Sequence, residues 1–64
     1  MVSSSLATVG YDMSTRVLEV EFHSGQVYQY LDVPKDVFDA LLGSESLGAF
    51  FNSEVRDAFR FRRV

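Results

Sequence analysis

Tyr28 and Tyr30 stand two residues apart in "HSGQVYQYLDVP", and the chain ends on alternating arginine and phenylalanine, with Arg60, Phe61, Arg62 and Arg63 following Arg56 and Phe59. Tyrosines at i and i+2 on a strand project to the same side. On an open face they form a platform for unpaired bases, where stacking contributes roughly 1–3 kcal/mol per base. On a covered face they are packing. Arginines beside aromatic rings suit phosphate contact or docking on an acidic partner. Glu19 and Glu21 share a strand face about 6.6 Å apart by strand rise, a separation that also suits paired carboxylates in hydrolysis. No third group accompanies them, so they read as the solvent side of an alternating strand.

Catalytic and metal chemistry find no other support. His23 is the single histidine, it falls in a turn, and the chain has no cysteine, which excludes the usual zinc and nucleophile arrangements. Ser3, Ser4 and Ser5 have no visible base partner. No glycine-rich phosphate loop, zinc signature or catalytic motif is present. A chain of 64 residues also struggles to enclose the ~300 Å³ that small-molecule sites need. The expectation is a non-catalytic protein with no cofactor and no metal.

The residues that must position these groups form one domain, 1–64, with a core over about 4–59 and a basic tail over 56–64. A 47% hydrophobic content with six Phe and three Tyr is ample for a core and argues against disorder. The opening "MVSSSLATVGYD" has neither a basic n-region nor a long apolar run, and nothing approaches the ~20 residues that span a bilayer. A cytoplasmic protein with no membrane partner is expected. Charge is divided unevenly: residues 1–55 hold Arg16 and Lys35 against eight acids, whereas residues 56–64 hold four arginines against Asp57. An acidic body weakens long-range attraction to phosphate, while a local arginine cluster still makes contacts.

The first half alternates with period two. "LATVGYD" sets Ala7, Val9 and Tyr11 against Thr8 and Gly10; "RVLEVEF" sets Leu18, Val20 and Phe22 against Val17, Glu19 and Glu21; "QVYQYLDV" is a third strand. Turns at Asp12–Thr15 and His23–Gly25 make an antiparallel meander. The period then changes. Asp32 is placed to cap a helix whose first turn takes Pro34 and Asp36. Val37, Phe38, Leu41 and Leu42 form its apolar stripe, and Gly43 ends it. Ser44 or Ser46 caps a second helix, in which Leu47, Phe50, Phe51, Val55 and Phe59 recur at three- and four-residue spacing. The terminal "FRFRRV" fits a frayed tail, a continued helix or a fourth strand at a sheet edge. The predicted fold is α+β, a three-stranded antiparallel meander followed by two short helices packed on one face of the sheet.

Register decides which way the tyrosines face. A two-residue loop at Ser24-Gly25 sets Glu21 opposite Tyr28 and Glu19 opposite Tyr30. A three-residue loop, His23-Ser24-Gly25, sets Val20 opposite Tyr28 and Leu18 opposite Tyr30 instead. One residue of slip exchanges the faces. Gly at the third position suits the left-handed residue of a type I turn with a G1 bulge, so the longer loop is favoured. Both tyrosines then belong mainly to the core, with hydroxyls at its rim.

Taken together, "SSLATVGYD", "LEVEFHSGQVYQYLDVP", "FDALLGSES" and "GAFFNSEVR" resemble the KTSC domain. This short module occurs at the C-terminus of some lysyl-tRNA synthetases and as a stand-alone bacterial or phage protein. The Tyr28-Gln29-Tyr30 element before Val33-Pro34 carries the resemblance most specifically, with Gly48, Phe50, Phe51 and Asn52 as a second anchor. The family has no established activity; its tie to a synthetase implies an RNA-binding accessory role. On that reading, tRNA-like or single-stranded RNA would meet Tyr28, Tyr30, Arg56, Arg60, Phe61, Arg62 and Arg63. Glu54 and Asp57 flank Arg56 and lower the local positive charge. The acidic body supports a second reading, a protein-interaction module that pairs with itself or docks a partner through a sheet edge or the basic-aromatic tail.

Overall fold

A computed structural model describes residues 6–64; Ser3–Ser5, and with them the start of the expected core, lie outside the described residues. The chain runs β1 (Leu6–Asp12), β2 (Val17–Phe22), β3 (Val27–Tyr30), α1 (Lys35–Leu42), α2 (Leu47–Phe50), a π-helical turn (Phe51–Val55) and β4 (Phe61–Arg63). The strands form one antiparallel sheet in the order β1-β2-β3-β4. This is the α+β class expected, but with four strands rather than three. The terminal segment takes the edge-strand option because β3 offers it an open ladder. The Leu31 amide donates to the Arg60 carbonyl (2.8 Å) and the Val64 amide to the Val27 carbonyl (3.0 Å).

The β2–β3 loop has the longer form. The Phe22 amide donates to the Gln26 carbonyl (2.9 Å), the Gly25 amide to the Phe22 carbonyl (2.8 Å), and Gly25 has φ +96°. Leu18 therefore faces Tyr30 and Val20 faces Tyr28. The buried cluster on this inner face unites Leu6, Leu18, Val20, Tyr30 and Val33 with Leu41, Phe51 and Val55 from the helices. Both helices thus deliver apolar groups to the same side of the sheet.

Three local expectations are corrected. A bulge at Ala7 interrupts the pairing between Leu6 and Thr8, so Leu6 turns inward with Val9 and Tyr11 while Ala7 is exposed. The extra residue resolves a conflict that strict alternation leaves, with Leu6 on the wet side. Asp32 does not cap α1. It sits at φ +56° in the bend leaving β3, and Pro34 occupies the cap position with no side-chain hydrogen bond. Gly43 closes α1 as expected, with right-handed geometry (φ −86°). Leu42 is 54% exposed rather than part of the inward stripe. The Ser46 cap is present, its hydroxyl accepting from the Ala49 amide at 3.2 Å. Ser44 turns instead to the Leu41 carbonyl, donating at 2.7 Å.

No helix is long and apolar enough to cross a membrane among the described residues.

Candidate functional site

The inner face is only partly roofed. β3 supplies Tyr28 and Tyr30, β2 supplies Phe22, β4 supplies Phe61, and the π-helical turn supplies Phe51. These five rings touch in sequence. Phe22 meets Tyr28 edge-on (centroids 5.5 Å) and Phe51 likewise (5.8 Å); Phe51 meets Tyr30 (5.2 Å); Phe61 leans over both Tyr30 (5.3 Å) and Tyr28 (5.5 Å). Such pairs each add about 0.5–1.5 kcal/mol beyond burial. Between these rings and the end of the second helix lies an open cleft of about 820 Å³, walled also by His23, Asn52, Arg56 and Asp57. The space is an open cleft rather than an enclosed pocket.

Local structure explains each placement. The π-helical turn closes with the Arg56 amide donating to the Phe51 carbonyl at 2.9 Å. A residue added to one turn shifts the side chains that follow it. Here Phe51 and Val55 enter the core while Asn52 and Arg56, the next residues in each case, border the cleft. Tyr30 is buried at 4% exposure, yet its hydroxyl makes no hydrogen bond among the described residues, and no buried side-chain polar atom lacks a partner. The hydroxyl therefore reaches the cleft. Burial pushes its pKa up, the neighbouring Tyr28 adds to this, Arg56 opposes and Asp57 reinforces it.

The arginines do not act as one patch. Arg56 walls the cleft. Arg63 pairs with Tyr28 in the ladder and so shares the inner face, at the rim. Arg62 pairs with Gln29 and projects to the opposite face, where its Nε donates to Gln29 Oε1 (2.9 Å) and Gln29 Nε2 donates to Glu19 Oε1 (2.9 Å). Arg60 leads into β4, is exposed, and stands outside the cleft lining. Of the residues singled out from the sequence, Tyr28, Tyr30, Arg56 and Phe61 meet at the cleft, with Arg63 beside them. Phe22, His23, Asn52 and Asp57 join them without having been assigned there. The four-residue spacing of Asn52 and Arg56 puts them on one side of a helix, but which side meets the cleft is set by the π-helical turn.

Neither Arg56 nor Asp57 is ion-paired among the described residues, where the one salt bridge is Lys35–Asp39 (2.9 Å) on α1. The cleft thus combines exposed ring surface, a free guanidinium, a free carboxylate, an amide and a phenol. This set can stack, donate and accept. No group of three or more His, Cys, Asp or Glu there or elsewhere among the described residues could hold a metal ion.

Comparison with known proteins agrees with the resemblance in the motifs. The family model of the KTSC domain matches residues 2–59. The chain is 46% identical to an uncharacterized protein of Stutzerimonas stutzeri, covering 97% of this chain and 89% of that one. It is 34% identical to part of a lysine–tRNA ligase of Nostoc punctiforme, covering 95% of this chain but 11% of the ligase. It is also similar to the crystal structure of a KTSC domain protein from Yersinia pestis, with a TM-score of 0.89 and 34% identity over 100% of this chain and 90% of that one. The chain belongs to the KTSC domain family.

Proposed function

We propose that this KTSC domain is a small cytoplasmic binding module, without catalytic activity, whose cleft takes a short unpaired stretch of RNA. The observation that carries the reading is the meeting of half-buried Tyr28 and 53%-exposed Phe61 with Arg56, which has no ion pair among the described residues, in one open cleft. Every base has a π-face, so rings of this kind bind single strands with little need for a particular sequence. Arg56 and, at the rim, Arg63 are placed for the flanking phosphates. Arg60 and Arg62 are assigned at most an outlying electrostatic part. The acidic body repels a long duplex, which favours a short local contact. Similar sequence within a lysine–tRNA ligase fits a tRNA-like strand.

The test is a fluorescence-anisotropy titration of labelled single-stranded RNA and of a tRNA pool across a salt series. Binding should weaken with salt, each phosphate engaged contributing about −0.7 to the log–log slope. Arg56→Ala and Arg63→Ala should each reduce the slope by about that amount, and Arg62→Ala should leave it nearly unchanged. Failure to bind at low salt, or binding indifferent to salt, contradicts the reading.

A second reading has its own support, the open outer edge of β4. Antiparallel alternation gives β3 the backbone groups of Arg60 and Val64, which turns those of Phe61 and Arg63 outward. An extended partner could add there as a further strand. Pairing two copies of β4 would set arginine against arginine, so an acidic peptide suits this edge better than self-association. Such docking would shift the backbone amides of Phe61 and Arg63 and would not depend on Arg56.

A further inference from the structure

The cleft holds a group that a site made only for phosphate would lack. Asp57 stands next to Arg56 on its wall. A carboxylate repels a phosphate backbone, so RNA seated here must offer Asp57 something else. A carboxylate accepts hydrogen bonds and donates none. Among the four bases, guanine alone presents two adjacent donors on its pairing edge, N1–H and the N2 amino group. Adenine and cytosine present one amino group each, and uracil one ring N–H. The guanine O6 beside those donors is an acceptor, and Arg56 is the adjoining donor. Neither charge is consumed by an ion pair among the described residues. The geometry points to guanine as the base this cleft selects, an inference that rests on the RNA reading above.

The aromatic rings restrict how such a base is held. Tyr28 and Phe61 have centroids 5.5 Å apart and planes inclined at 51°. A base sandwiched between parallel rings needs about 7 Å, two contacts of roughly 3.5 Å. The base therefore lies on the outer face of one ring with its pairing edge turned toward the second helix. Asn52, one turn before Arg56 and able both to donate and accept, borders the same wall. A bidentate side chain–base pair discriminates by about 1–3 kcal/mol, which is at least about fivefold.

The experiment is a chemical-shift titration with the trinucleotides UGU, UIU, UAU, UCU and UUU, where inosine is guanine without its N2 amino group. UGU should bind at least about fivefold tighter than UAU, UCU and UUU, and UIU should fall between. Asp57→Asn removes a charge from an exposed position. It should erase most of the UGU advantage, bringing the affinity for UGU down toward that for UAU, UCU and UUU. Equal binding of all five, or a guanine preference that survives Asp57→Asn, overturns the guanine assignment and leaves the RNA reading intact. If none of the five binds the wild type at low salt, the RNA reading fails and the assignment falls with it.

Discussion

The two faces of β3 divide its four residues, Val27–Tyr30, between them and reach opposite results. On the outer face polar groups satisfy one another: Arg62 donates to Gln29, Gln29 to Glu19, and Thr8 Oγ1 to Glu21 at 3.3 Å. On the inner face Tyr30, Arg56 and Asp57 find no such partners among the described residues, although the rings around them are closely packed. A surface whose polar side chains hydrogen-bond one another across the strands holds a sheet together. A surface that leaves donors and acceptors open beside exposed rings is prepared for a ligand. The contrast is what the proposed binding role of the cleft rests on.

The strongest way to break this contrast is to remove the ring common to core and cleft. Phe51 is 2% exposed and meets both Phe22 and Tyr30. Phe51→Ala should cost about 3–5 kcal/mol, most of the stability available to so short a chain. Thermal unfolding followed by circular dichroism should lose its cooperative transition near room temperature.

A smaller effect sharpens the register that divides the faces. Gly25 has φ +96° with open space where a Cβ would stand, so Gly25→Ala is strained by conformation alone and should cost roughly 1–2 kcal/mol. Gly43 is right-handed and a Cβ there meets only ordinary contacts. Gly43→Ala should change stability by less than about 0.5 kcal/mol or raise it slightly. Urea midpoints of the two variants measure the difference. Similar destabilisation by both would count against the loop geometry.

Titration probes the open phenol. The Tyr30 pKa is raised, so folding favours the neutral form. Its contribution is intact below the unfolded tyrosine value of about 10 and is lost as pH rises through the higher folded value. Tyrosinate absorbance should show a phase above the free-tyrosine value, and Tyr30→Phe should abolish it. The smallest effect belongs to the outer ladder. Gln29→Ala breaks exposed hydrogen bonds and should cost less than about 1 kcal/mol, with no loss of RNA affinity.

Much of this arrangement could be read before any coordinates. Gly25 selected the loop, the loop set the register, and the register turned Tyr28 and Tyr30 inward. Leu18, Val20, Leu41, Phe51 and Val55 announced the core by periodicity. Other features were out of reach. Three residues are too few for β4 to show a pattern, and without β4 nothing separates Arg62 on the outer face from Arg63 on the inner one. The bulge at Ala7 is settled by the burial of Leu6, a tertiary effect. The π-helical turn depends on how Phe51 and Val55 seat in the core, and it is this turn that brings Asn52 and Arg56 to the cleft. Aromatic residues could be assigned to a face by alternation alone, whereas polar groups of the site needed the packed helix.

The most direct test is a side-chain NMR titration of the labelled protein with single-stranded RNA at low and then moderate salt. Aromatic signals of Tyr28 and Phe61 and the Nε–H signals of Arg56 and Arg63 should shift together and return as salt rises. Those of Gln29 and Arg62 should hold their positions. Shifts confined to the outer ladder, or none at low salt, would contradict the assignment of function to the cleft.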